Sequence, residues 1–300
     1  MRRCLIVLVC LACGYCGSQS PTAPTSGPSP TTPPATPPAS GPQVFVGAGD
    51  IAMGDRNSVA TAALLDSIGG LVFTLGDNAY FQGTRQQYRD FYDSTWGRHK
   101  GRTFPVPGNH EYESPGAVPY FEYFGELAAG PTGQGFYSFE VGDWHAIALN
   151  SNIAVGASSS QAAWLRNDLA ASRSRCTLAY WHHPLFTSGP DGDMPSLREF
   201  WRILYDAGVE IVMNAHEHMY ERFAPQDPDG RPDNARGIRQ FIAGTGGAFL
   251  YQPVTLHPNS EVRISTFGVL KLTLSSDRYQ WEFIPAATGA ASDGGSGTCH

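Results

Sequence analysis

The 300-residue chain has almost no lysine, no basic block and no apolar run long enough to cross a bilayer. Its 20 basic residues face 27 acidic ones for a formal charge of −7, and only Lys100 and Lys271 are lysines. An acidic chain without clustered cations does not suit a phosphate backbone, so no nucleic-acid platform is expected. The most apolar stretch near the start, residues 5–12, falls well short of the about 20 residues that span a membrane. Cysteine is scarce beyond residue 16, where only Cys176 and Cys299 occur. The early four, Cys4, Cys10, Cys13 and Cys16, have no fold around them that would make a paired-thiol zinc site. Apolar residues at 41% and charged residues at 16% are enough for a sizeable core, which rules out a wholly disordered chain.

Arg2 and Arg3 followed by that short apolar run read as an export signal over residues 1–16. A lipid-anchored cysteine at Cys13 or Cys16 is the other form such a leader takes. Ala12 before Cys13 suits it, whereas Cys10 stands where that pattern prefers Leu. Residues 17–42 hold nine of the 23 prolines and otherwise almost only Ser, Thr, Gly and Ala, the composition of an extended solvated spacer. The expected location is therefore outside the cytoplasm: secreted, periplasmic or lipid-anchored at the cell surface. Export favours oxidation, so Cys176 and Cys299 are expected to pair as a disulfide, with two free thiols as the plainer reading.

From Gln43 the pattern changes. Residues 44–46 and 71–75 read as strands around a helix over 58–68, with Val59, Ala62, Ala63 and Leu65 on one face and Gly69-Gly70 as its stop. Leu197, Phe200, Trp201 and Leu204 have the spacing of a core-facing helix that leads into an apolar run over 209–213. Strand, helix, strand implies parallel pairing. Residues 136–141 with 144–149, and 267–274 with 279–284, read instead as hairpins. Both patterns fit an α/β sandwich of two mixed sheets, as one domain over residues 43–300.

The chemistry-bearing residues follow the strands, where open α/β sheets place their ligands. Five strand ends carry Gly49-Asp50, Gly76-Asp77-Asn78-Ala79-Tyr80, Gly108-Asn109-His110-Glu111, His182-His183-Pro184 and His216-Glu217-His218. Alone, Gly-Asp is usually a turn and a single His is usually structural. A His-x-His pair, read as strand, points both imidazoles to one side. Together, two carboxylates, an Asn carbonyl, a phenol and at least three imidazoles make a ligand set for Fe, Zn or Mn.

This series resembles the calcineurin-like metallophosphoesterases, and within them the purple acid phosphatases, over residues 44–222 in order. The resemblance implies a four-layer α/β/β/α sandwich, the metallophosphoesterase fold. It implies two ions. The first is held by Asp50, Asp77, Tyr80 and His218, and the second by Asp77, Asn109, His182 and His216, with Asp77 bridging. Ala52 stands where the wider superfamily has a His, and Tyr80 supplies a ligand in its place, which implies Fe(III) with a divalent Zn, Fe or Mn. His182 matches the family's ligand because it precedes Pro184 by two, which leaves His183 as a supporting or packed residue. His110 matches a histidine that contacts phosphate or donates a proton.

The implied activity is hydrolysis of small phosphomonoesters by metal-activated hydroxide attack. A phosphodiesterase acting on nucleotides or lipid head groups, and an inactive surface-binding domain, are the competing readings. Two departures stand out: Ala215 replaces a usual Gly, and residues 186–194 lack the further His of the plant enzymes. His99, His145, His257 and His300 match no motif and read as structural or exposed, and no protein partner is inferable.

Overall fold

Two kinds of sequence build the sandwich: apolar runs of four to eight residues that end in Gly-Asp or His-rich turns, and amphipathic stretches between them. The computed structural model describes residues 41–300, so the expected leader and residues 17–40 of the spacer lie outside the described residues. The strands are β1 (Gln43–Ala48), β2 (Leu71–Leu75), β3 (Thr103–Val106), β4 (Tyr137–Val141), β5 (Trp144–Ala148), β6 (Cys176–Tyr180) and β7 (Ile211–Asn214). They continue with β8 (Tyr220–Phe223), β9 (Arg239–Ala243), β10 (Ser260–Ile264), β11 (Gly268–Ser275), β12 (Arg278–Pro285) and β13 (Asp293–Thr298). One sheet has six strands in the order β13-β12-β11-β1-β2-β3. The other has seven in the order β10-β8-β9-β7-β6-β5-β4.

In the first sheet β1, β2 and β3 run parallel. In the second β5, β6, β7 and β9 do. Hairpins and an antiparallel β8 complete both sheets, as in β4–β5 and β11–β12. Phe45, Phe73, Tyr180, Ile211, Leu272 and Phe283 fill the space between the sheets. The outer faces are covered by helices. The first sheet packs against α1 (Arg56–Ser67) through Ala62 and Leu65. The second packs against α2 (Ser160–Ala171) and α3 (Arg198–Asp206) through Leu165, Phe200, Trp201 and Leu204. The layers are helix, sheet, sheet, helix.

Three local features depart from the sequence reading or add to it. In α1 the buried face is Ser58, Thr61, Ala62 and Leu65, while Val59 and Ala63 are exposed. The helix lies against Gly246-Gly247, where a Cβ on Gly247 would meet the Ser58 backbone nitrogen at 2.7 Å, so contact favours small polar residues over Val. Thr61 donates its hydroxyl to the Gly246 carbonyl there. Second, the Gly/Ser-rich C-terminal segment forms β13, pairing Asp293 with Phe283 through Thr298 with Arg278. Third, His216 and His218 do not alternate along a strand, because they occupy the turn between β7 and β8.

The edge hairpin β4–β5 is tied to α2 by a buried histidine. His145 Nδ1 lies 2.9 Å from Glu140 Oε1, and its Nε2 lies 2.7 Å from Asp168 Oδ2. Burial opposes the imidazolium, but the bonds to Asp168 and Glu140 outweigh it and push His145 up to about 9. A raised folded-state pKa contributes stability that is complete below the ordinary value of about 6.5 and is lost as pH rises through about 9. Melting temperature should therefore fall between pH 7 and pH 10, and His145→Gln should flatten that part of the profile. An unchanged slope in the variant would contradict this assignment.

Candidate metal centre

All the parallel strands end at one rim, and there the chain turns sharply. Among the described residues only four that are not glycine have positive φ, and three are Asp50 (56°), Asp77 (51°) and His216 (68°). Non-glycine residues held there are rare and strained, and such positions cluster at functional sites. Glycine allows the loops to close around them. A Cβ on Gly76, itself at φ 88°, would lie 2.6 Å from His182 Nδ1. One on Gly108 would lie 2.1 Å from Asp77 Oδ1.

The side chains converge in two abutting groups. In the first, the Tyr80 hydroxyl donates to Asp50 Oδ1 at 2.8 Å and lies 3.1 Å from Asp77 Oδ2 and 3.2 Å from His218 Nε2. Tyr80 is set by its own backbone, whose N–H donates to the Ala52 carbonyl at 2.8 Å. In the second, His182 Nε2 lies 3.0 Å from Asn109 Oδ1, 3.3 Å from Asp77 Oδ2 and 3.3 Å from His216 Nδ1. Asp77 thus touches both groups. Potential ligand atoms of Asp50, Asp77 and His182 lie within 4.8 Å of one another, and so do those of His182, His183 and His216.

The surroundings hold the imidazoles in fixed orientation. His182 Nδ1 donates to the Leu75 carbonyl at 2.7 Å, and His218 Nδ1 to the Phe249 carbonyl at 2.6 Å. Each bond leaves Nε2 facing inward, the arrangement that orients metal-binding histidines. His110 packs its ring on Tyr80 with centroids 4.4 Å apart, bonds the Phe81 carbonyl through Nδ1 and keeps 27% of its side chain open to solvent.

Charge in the centre is strongly coupled. Burial pushes the Asp50 carboxyl up, against the pull of His218 and His182. Burial also opposes ionisation of Asp77, but His182 and then His110 hold it below the usual carboxylate range. His182 is disfavoured by burial yet raised to about 9 by Asp77. Burial, then the neighbouring His182, lower His183 to about 2 and His216 to about 3, so both keep neutral rings with free lone pairs.

Two carboxylates that the sequence reading left without a role brace this arrangement. Glu111 is buried and accepts the backbone N–H groups of Gly108 (2.7 Å), Asp77 (2.9 Å), Asn78 (2.8 Å) and Ala79 (3.3 Å). Its place three residues after Gly108 was the available signal. Glu217 accepts the N–H groups of Asp191 and Gly192, each at 3.1 Å. His183, expected as a supporting or packed residue, lies beside the cluster: its Nδ1 meets Ser151 Oγ at 2.8 Å and its ring lies 4.5 Å from that of His216. The remaining histidines stay outside: His99 meets Asp66, His145 meets Asp168, His300 meets Glu210, and His257 packs on Phe186.

A fold of two helix-flanked mixed sheets with acidic and imidazole donors gathered at the strand ends defines a class. The chain matches the family described as calcineurin-like phosphoesterase over residues 37–220, and it belongs to that family. Its curated relatives include purple acid phosphatase 15 of Arabidopsis thaliana, 28% identical over 228 residues, covering 64% of this chain and 43% of that protein. Purple acid phosphatase 22 of the same plant is 28% identical over 255 residues, covering 80% and 53%. The chain thus spans about half the length of the curated relatives it matches. Among solved structures, the purple acid phosphatase from yellow lupin seeds superposes with a TM-score of 0.70 at 19% identity, over 87% of this chain and 54% of that one, a likeness of fold.

Proposed function

We propose that this chain is an exported phosphoesterase that hydrolyses small phosphomonoesters with two metal ions. In this reading Asp50, Asp77, Tyr80 and His218 hold Fe(III), and Asp77, Asn109, His182 and His216 hold a divalent Zn, Fe or Mn. The observation that carries it is the contact of Asp77 with both groups, through Tyr80 on one side and His182 on the other. The donor chemistry fits: hard oxygens gather around Asp50 and Tyr80, and the imidazoles of His182 and His216 meet beside Asn109. Such ions supply Lewis acidity, generating a nucleophile from water near neutral pH and neutralising phosphoryl charge.

The chain's own residues do the rest. Glu111 and Gly76 hold the Asp77 and Asn109 turns together, and the bonds to Leu75 and Phe249 keep His182 and His218 aimed inward. His110, anchored through Nδ1, presents Nε2 to a phosphoryl or leaving oxygen, where it donates a hydrogen bond or a proton.

A panel of phosphomonoesters and phosphodiesters, run with metal analysis and a pH profile, tests the reading. The expected result is close to two ions per chain and faster turnover of monoesters. Active protein with reproducibly one ion or none would sink it, and faster turnover of diesters would move it to a phosphodiesterase. Tyr80 gives a separate readout. Burial, then Asp50 and Asp77, hold its hydroxyl protonated well above the usual range, so a phenolate there needs a strong cation. Phenolate on Fe(III) should give a visible charge-transfer band that Tyr80→Phe abolishes. An active, iron-free, colourless protein indifferent to that change would reduce Tyr80 to packing.

A further inference from the structure

The rim around the centre has an unusual composition. The loops at the carboxyl ends of the parallel strands, residues 49–55, 76–84, 107–117, 149–159, 181–194, 215–219 and 244–259, contain no Arg or Lys. They do contain exposed carboxylates: Glu113 is exposed, and Asp191 keeps 46% of its side chain open with Oδ2 3.9 Å from His216 Nε2. A substrate with negative charge beyond the phosphoryl group meets carboxylates here and no Arg or Lys from these loops.

The same rim is apolar. Of the seven large hydrophobic side chains left exposed among the described residues, Phe81, Phe249, Val254 and Leu256 lie in two of these loops. The two phenylalanines sit against the site itself. Phe249 contacts the His218 ring at 4.7 Å between centroids, and Phe81 contacts Tyr80 at 5.7 Å and His110 at 6.2 Å. Each is 47% exposed, so each leaves apolar side-chain surface open to solvent next to the proposed ligands. Their backbones are fixed: the Phe81 carbonyl bonds His110, the Phe249 carbonyl bonds His218, and Tyr251 N–H donates to the His218 carbonyl at 2.8 Å. Exposed rings on pinned backbones are preorganised for contact with a flat apolar group.

We propose that Phe81 and Phe249 form a subsite for a neutral aromatic leaving group, so that the preferred substrates are aryl phosphomonoesters and not polyanionic phosphates. This rests on the phosphoesterase reading and refines it. Loops that carry carboxylates and no Arg or Lys favour a neutral leaving group over an anionic one, and two rings beside His110 and His218 favour an aromatic one.

Competitive inhibition by phenylphosphonate and methylphosphonate tests it without leaving-group reactivity entering. Glycerol phosphate hydrolysis by the full chain serves as the assay. Phenylphosphonate should bind more tightly than methylphosphonate by about fivefold or more, the scale of one favourable aromatic pair. That ratio should fall towards one in Phe81→Ala and Phe249→Ala and persist in Phe249→Tyr. The ratio is internal to each variant, so a change in ion occupancy that weakens both inhibitors leaves it readable. A wild-type ratio near one, or a ratio that both Ala variants preserve, overturns the subsite while leaving the phosphoesterase intact. Failure to hydrolyse any ester or to bind either phosphonate overturns both. Binding to phosphatidylcholine vesicles that is lost in Val254→Ser with Leu256→Ser, together with a ratio near one, reassigns the rim to a lipid surface and overturns the subsite.

Discussion

His182→Ala should lower kcat by at least about 10²–10³-fold, the cost of removing one group that stabilises developing charge. The ring is fully buried, anchored by the Leu75 carbonyl and placed between Asn109 and Asp77. Deleting it takes the strongest stabilising partner from Asp77 and an imidazole from the second proposed ion. The fold should survive, because β6 ends at Tyr180 and its pairing with β5 and β7 does not involve the imidazole. Metal content should drop towards one ion per chain with the visible band retained. His183→Ala should cost less, about tenfold, the usual effect of a residue that supports a ligand. A damaging His183→Ala beside a mild His182→Ala would show that the ligand assignment is one residue out of register.

Breaking the bond between Cys176 and Cys299 should be the largest single change in stability. The structure joins them with Cα atoms 5.6 Å apart and a sequence separation of 123. Constraining so long a loop in the unfolded chain contributes roughly 4–5 kcal/mol on the chain-entropy model, and measured effects are usually smaller. Reduction, or Cys176→Ser with Cys299→Ser, should lower Tm by roughly 10 °C on the scale expected for a domain of this size. Non-reducing peptide mapping followed by melting with and without reductant measures both. Two titratable thiols at these positions in the unreduced protein would refute the bridge.

What could be read from the sequence was what is encoded locally. Each proposed ligand follows an apolar strand and a turn within a few residues, so the order of Asp50, Asp77, Asn109, His182 and His216 was visible without knowing the pairing. The two hairpins were visible for the same reason. What escaped depends on contacts distant in sequence. The polar face of α1 makes sense only against Gly247, the convergence of His216 and His218 depends on a left-handed turn, and Glu111 takes its position from backbone groups 32 to 34 residues away. For His183, expected as a supporting or packed residue, what escaped was its partner Ser151, on a separate loop.

β13 has little reason of its own to be a strand, since Asp293–Thr298 reads DGGSGT. Its glycines are required where Trp281 and Tyr279 lie across it: a Cβ on Gly295 or Gly297 would come within 2.4 Å of those rings. It is pinned at both ends, by Asp293 bonding Tyr220, Arg222 and Trp281, and by Cys299. The strand is in effect a cover strip. Beneath it runs β12, whose residues alternate between exposed and buried, and which would otherwise present a row of open N–H and C=O groups to any other chain. In a reducing compartment one end of the strip comes free. The consequence to expect there is self-association through the bared edge, with catalysis in the surviving monomers little changed.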